Sequence, residues 1–71
     1  MIVDMKASDD AGRRVVLARL EAGLTQRDLA RESGVDQATI VKVERGATNV
    51  RPFTLAKLAR TLGIPVEDLL A

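Results

Sequence analysis

Neither cysteine nor histidine occurs among the 71 residues. Their absence removes disulfides, thiolate and imidazole catalysis, and the ligand sets on which zinc, haem and iron-sulfur sites rest. Tryptophan and tyrosine are missing too, and Phe53 is the one aromatic residue, so a sheet built from aromatic and β-branched side chains is disfavoured. No apolar run approaches the ~18 residues of a membrane span, and Met1 to Lys6 is too short and too early charged for a secretory leader. A cytoplasmic location without membrane contact is the expectation. Ser8 and Ser33 are the only serines; with no His or Cys to assist them, the chain is expected not to be an enzyme and to hold no metal or cofactor.

What is present is Ala, Leu and Val within an apolar fraction of 46%, a composition that suits short, closely packed helices and an all-α class. The length allows one domain, near the lower limit at which a hydrophobic core holds a fold unaided. The formal charge of +1 conceals a division: residues 13–60 carry ten basic against five acidic side chains, while 1–12 and 61–71 are each net −2. A basic centre between acidic ends suits a polyanion, although mixed charge also covers ordinary solvated helices.

Residues 1–12 read as a flexible N-terminal arm, with Asp9 or Asp10 as the N-cap of the first helix. The domain is placed at 13–71 as a compact bundle of five short helices. The first runs from Arg13 to Ala22 and stops at Gly23, with Val15, Ala18 and Ala22 on its inner face and Val16, Leu17 and Leu20 left as surplus apolar surface. Thr25 and Asp28 have the form of a capping box opening a second helix that ends before Gly34. Asp36 caps a third, Gln37 to about Arg45, with Ile40 and Val43 inward. A polar loop, Ala47 to Arg51, leads to Pro52 and a fourth helix with Leu55, Leu58, Ala59 and Leu62 as its stripe. Pro65 opens a short last helix, Val66 to Leu70.

The segment from Gln26 to Arg45 meets the steric demands of a helix-turn-helix. Ala30 is small where the two helices cross, Gly34 tolerates positive φ in the turn, and Leu29, Val35, Ile40 and Val43 supply the contacts that set the angle. Ala22-Gly23-Leu24-Thr25-Gln26, Val43-Glu44-Arg45-Gly46, Leu55-Ala56-Lys57-Leu58-Ala59 and Leu62-Gly63-Ile64 resemble the Cro and phage-repressor family, also called the xenobiotic-response-element family, over about Arg13 to Leu70. The resemblance implies a lambda-repressor-like fold of five helices, operator binding as a homodimer, and a repressor or related regulatory role. Two positions depart from it: Pro65 stands where the family often has a Ser-type N-cap, and Ala38 where some relatives place a base-reading amide.

Docked in the major groove of double-stranded DNA, the third helix would present Gln37, Ala38, Val41 and Lys42 to base edges. Gln37 can pair with adenine, Lys42 can donate to guanine, and Ala38 or Val41 can touch a thymine methyl. The alternative is a polar first-turn Gln37 and a solvated Lys42. Gln26 and Thr39 resemble family positions that touch the sugar-phosphate backbone, and Arg45, Asn49, Arg51 and Thr54 should flank the groove and grip phosphates. Arg19 and Glu44 coincide with a structural ion pair of the family. The leading expectation is a transcriptional regulator, a repressor on a pseudo-palindromic operator. The alternative is a protein-binding role, as an antitoxin engaging a toxin or a factor bridging transcription components, resting on Val16, Leu17, Leu20, Leu69 and Leu70 as exposed apolar residues. The dimer contact is expected around Phe53 and from Gly63 through Leu70, with the Val16, Leu17 and Leu20 surface as its competitor.

Overall fold

Where the capping residues and glycines break the apolar pattern, the chain turns. The computed structural model describes residues 10–47 and 49–70. Within them the helices are α1 (Ala11–Glu21), α2 (Gln26–Ser33), α3 (Gln37–Glu44) and α4 (Pro52–Leu62), followed by a single 3₁₀ turn at Val66–Leu69. Four α-helices and this turn thus replace the five helices expected. The arm expected at 1–12 lies outside the described residues up to Asp9, so only its last part can be compared.

That last part is helical. α1 begins at Ala11, two residues ahead of the expected start, after Asp10, which caps it without a side-chain hydrogen bond. Ala11 and Gly12 are buried, and the reason is a close approach. A Cβ on Gly12 would overlap the Val43 carbonyl oxygen and come within 3.0 Å of that of Glu44. The helix-propensity cost of glycine, about 1 kcal/mol, is outweighed by letting the first turn of α1 lie against the last turn of α3. At the other end α1 closes at Glu21, so Ala22 becomes the exposed C-cap instead of an inner-face residue, and Leu24 packs on the core in its place.

The core unites Val15 of α1, Leu29 of α2, Val35 of the turn, Ile40 and Val43 of α3, Leu55, Leu58 and Ala59 of α4, and Leu69. Burying a side chain of Leu or Ile size contributes about 1.5 to 3 kcal/mol. The position of Leu69 corrects the expectation that it is exposed: it is fully buried. In a 3₁₀ turn residues i and i+3 lie over one another, so Val66 and Leu69 face the core together while Glu67 and Asp68 face out. Phe53 behaves in the opposite way; it stands 71% exposed with the Lys57 ammonium 4.8 Å from its ring centre, and takes no part in the core.

Candidate nucleic-acid interface

The site is built outward from two short helices and the turn between them. Thr25 accepts a hydrogen bond from the Asp28 N–H at 3.0 Å, and the Asp28 carboxylate accepts one from the Thr25 N–H at 3.0 Å, so the first turn of α2 is closed reciprocally. The Thr25 N–H foremost, with the Thr25 side chain and Arg31 assisting, holds the Asp28 carboxyl below the ordinary carboxylate range. α2 ends at Gly34, whose φ of +74° lies in the left-handed region that other residues enter only with strain. The Val35 N–H then donates to Ser33 Oγ at 3.1 Å, a fastening of the turn that sequence patterning did not reveal.

α3 starts differently. Asp36 was expected to cap it, but its side chain makes no capping bond; only its carbonyl serves, accepting from Thr39 and Ile40 at 3.0 and 3.1 Å. Ile40 and Val43 are buried, which turns Gln37, Ala38 and Lys42 outward, exposed, and leaves Val41 and Thr39 half-buried at the margins. At the C-terminal end of α3, Arg45 is exposed as well.

Behind α3 lies a polar tie. Arg19 donates through Nε and Nη2 to the two oxygens of Glu44 at 2.8 and 3.1 Å, and through Nη1 to the Leu24 carbonyl at 3.0 Å. The pair is nearly withdrawn from solvent, at 13% and 7% side-chain exposure, and the hydrogen bonds to Glu44 raise the pKa of the guanidinium further above its ordinary value. The Gln26 amide nitrogen donates to Glu44 Oε1 at 3.0 Å. Gln26 was expected to touch DNA backbone; its carboxamide is thus held, at least in part, by the tie. Nothing in the spacing of residues 26 and 44 signals this bond.

Between α3 and the start of α4 is an open cleft of about 250 Å³ lined by Thr39, Lys42, Asn49, Val50, Arg51 and Thr54. Five of these are residues expected to touch DNA, drawn together from two helices and a loop. Val50, read as part of a polar loop, is a buried wall of this cleft; its apolar character among polar neighbours was the available signal. Lys42 and Arg51 supply positive charge, and α4, with Pro52 at its first turn, brings free N–H groups and the positive end of its dipole. Such a setting accepts a phosphate oxygen. Gln37, Ala38 and Arg45 do not line the cleft but stand exposed at the two ends of α3.

Comparison with known proteins agrees with the helix-turn-helix fold. The family model HTH_3, described as helix-turn-helix, matches residues 17–69. The chain is 42% identical over 60 residues to the HTH-type transcriptional repressor RghR of Bacillus subtilis (strain 168), covering 83% of this chain and 44% of that protein. The chain therefore spans less than half the length of that relative. Its backbone is similar to that of the restriction-modification controller protein C.AhdI from Aeromonas hydrophila, with a TM-score of 0.75 and 37% identity, covering 84% of this chain and 91% of that one. It is also similar to SinR, a master regulator for biofilm formation solved in complex with DNA, with a TM-score of 0.75 and 29% identity over 80% of this chain and 92% of that one.

Proposed function

The chain belongs to the HTH_3 helix-turn-helix family, of Cro and phage-repressor type, and from that premise we propose that it is a sequence-specific transcriptional regulator, a repressor that occupies a pseudo-palindromic operator as a homodimer. The observation that carries the reading is the outer face of α3. Its polar side chains are exposed, and beside them lies a basic cleft at the start of α4.

In this reading α3 enters the major groove, with Gln37, Ala38, Val41 and Lys42 at base edges. Thr39, Asn49, Arg51 and Thr54 close on a phosphate at the cleft, and Arg45 on another beyond the end of α3. Gln26, with one amide hydrogen directed to Glu44, offers its other hydrogen, with the backbone N–H groups of Gln26 and Arg27 ahead of the capped Asp28, to the opposite strand. The family membership and the resemblance to RghR support the regulatory role. A single α3 covers few base pairs, and a second copy doubles the readout against a genome of competing sites.

The test is selection of duplexes from a random pool, followed by binding measurements at several salt concentrations. Affinity should fall steeply with salt. Arg51→Ala should weaken all duplexes alike, whereas Lys42→Ala or Gln37→Ala should remove about 1 to 3 kcal/mol of discrimination per base contact. Salt-independent binding, or unchanged sequence preference in both α3 variants, overturns the reading.

A further inference from the structure

α1 is apolar on both sides. Val15 points into the core, yet Leu17 and Leu20 on the opposite side are 55% and 60% exposed, an expensive placement for two leucines in a chain with so small a core. Leu17 also lines an open groove shared with the 3₁₀ region, where Ile64 and Asp68 form the far wall.

The charges around Leu17 follow a symmetric rule. Arg14 lies three residues before it and Glu21 four after, so they stand about 4.5 and 6 Å from it in opposite directions along the axis, and both are offset to the same side of the line through Leu17, by about 60° and 40°, where they line the groove with it. Both are exposed, and among the described residues neither enters an ion pair. A two-fold axis lying between two antiparallel copies of α1 at the level of Leu17, perpendicular to both helices and in the plane of their contact, reverses the axial displacement and keeps the sideways one. It therefore brings Glu21 of a second copy beside Arg14 of the first, and the reverse. By the same operation Leu20 of the second copy falls beside Arg13, whose methylene stem can cover it.

We propose that this face of α1 is the self-association surface, with α1 of one copy packed antiparallel on α1 of another about Leu17, closed by two Arg14–Glu21 pairs. An interface built on a two-fold axis needs one patch that complements itself, and the pattern of leucine centre, cation at one end and anion at the other meets that need. The occupant rests on the homodimer reading above; the location does not follow from it. Leu69 is buried in the core and so drops out of the alternative contact expected in the second half of the chain.

Sedimentation of the 71-residue chain, free and on a duplex selected from a random pool, tests the assignment. Leu17→Glu should weaken self-association by at least about tenfold. Arg14→Glu and Glu21→Arg should each weaken it, because like charges then face one another across the axis. The double variant Arg14→Glu/Glu21→Arg should restore it, since both pairs are inverted together. A dimer indifferent to all four variants overturns the location and leaves the homodimer reading standing. A wild-type chain that is monomeric both free and on DNA overturns both. Leu17→Glu that lowers the thermal stability of an unchanged monomer shows the face covered by the chain's own residues, and also overturns the proposal.

Discussion

Helices α2 and α3 have the same length, eight residues, and flank the same turn, but their polar groups are engaged in opposite ways. On α2, Asp28 closes the cap with Thr25 and also holds Arg31 at 2.8 Å, while Gln26 reaches Glu44. On α3 the N-cap contributes only its carbonyl, and among the described residues no hydrogen bond of Gln37, Thr39 or Lys42 side chains to the protein is formed. α2, whose first-turn polar groups are satisfied within the protein, is the support; α3, which engages Glu44 at its last residue and leaves Gln37 and Lys42 to solvent, is the helix that can meet another molecule.

The largest effect expected from this contrast lies in the tie that holds α3 from behind. Glu44→Ala should cost about 3 kcal/mol of folding stability, because it leaves the nearly enclosed Arg19 charge without its partner and frees Gln26. Urea denaturation with an unchanged m-value measures it. A loss no greater than that of an exposed surface pair would mean that α1 does not position α3 through this contact.

A smaller effect separates the two caps. Thr25→Ala should lower stability by about 1 kcal/mol, whereas Asp36→Ala should change it little, since the Asp36 side chain caps nothing in the structure. Equal losses in thermal denaturation would break the comparison between α2 and α3. Smallest is the titration of Asp28. Its folded-state pKa is depressed, chiefly by the Thr25 N–H, so its stabilising contribution is complete above the unfolded carboxylate value and disappears as pH falls through the lower folded value. NMR titration should find the Asp28 carboxyl below the ordinary aspartate range, and in Thr25→Ala, which keeps the backbone N–H but removes the hydroxyl, it should rise only partway back.

Much of the fold was legible because its signals are local. Thr25 three residues before Asp28, Gly34 in the tight turn and Pro52 opening α4 each act through the backbone of their own neighbourhood. The outer face of α3 was legible for the same reason: once Ile40 and Val43 face inward, helical periodicity turns Gln37, Ala38 and Lys42 outward. Leu69 was misread because four residues of 3₁₀ geometry present a different face from four residues of α-helix. Gly12 was misread because a glycine in a loop and a glycine at a close helix crossing look alike until the second helix is in place.

By itself the sequence determined the order of the helices, the turn that joins α2 to α3, the identity of most core residues and the all-α class, since these follow from periodicity and from backbone preferences of single residues. Only the tertiary structure decided that Gln26 shares Glu44 with Arg19, that Val50 closes the cleft beside Lys42 and Arg51, and that Leu17 and Leu20 stay uncovered by the described residues. Those are relations between segments distant in the chain, or between faces of different helices. The direction in which a side chain on one helix meets another depends on how the helices cross, and that angle is set by the packing of the whole core.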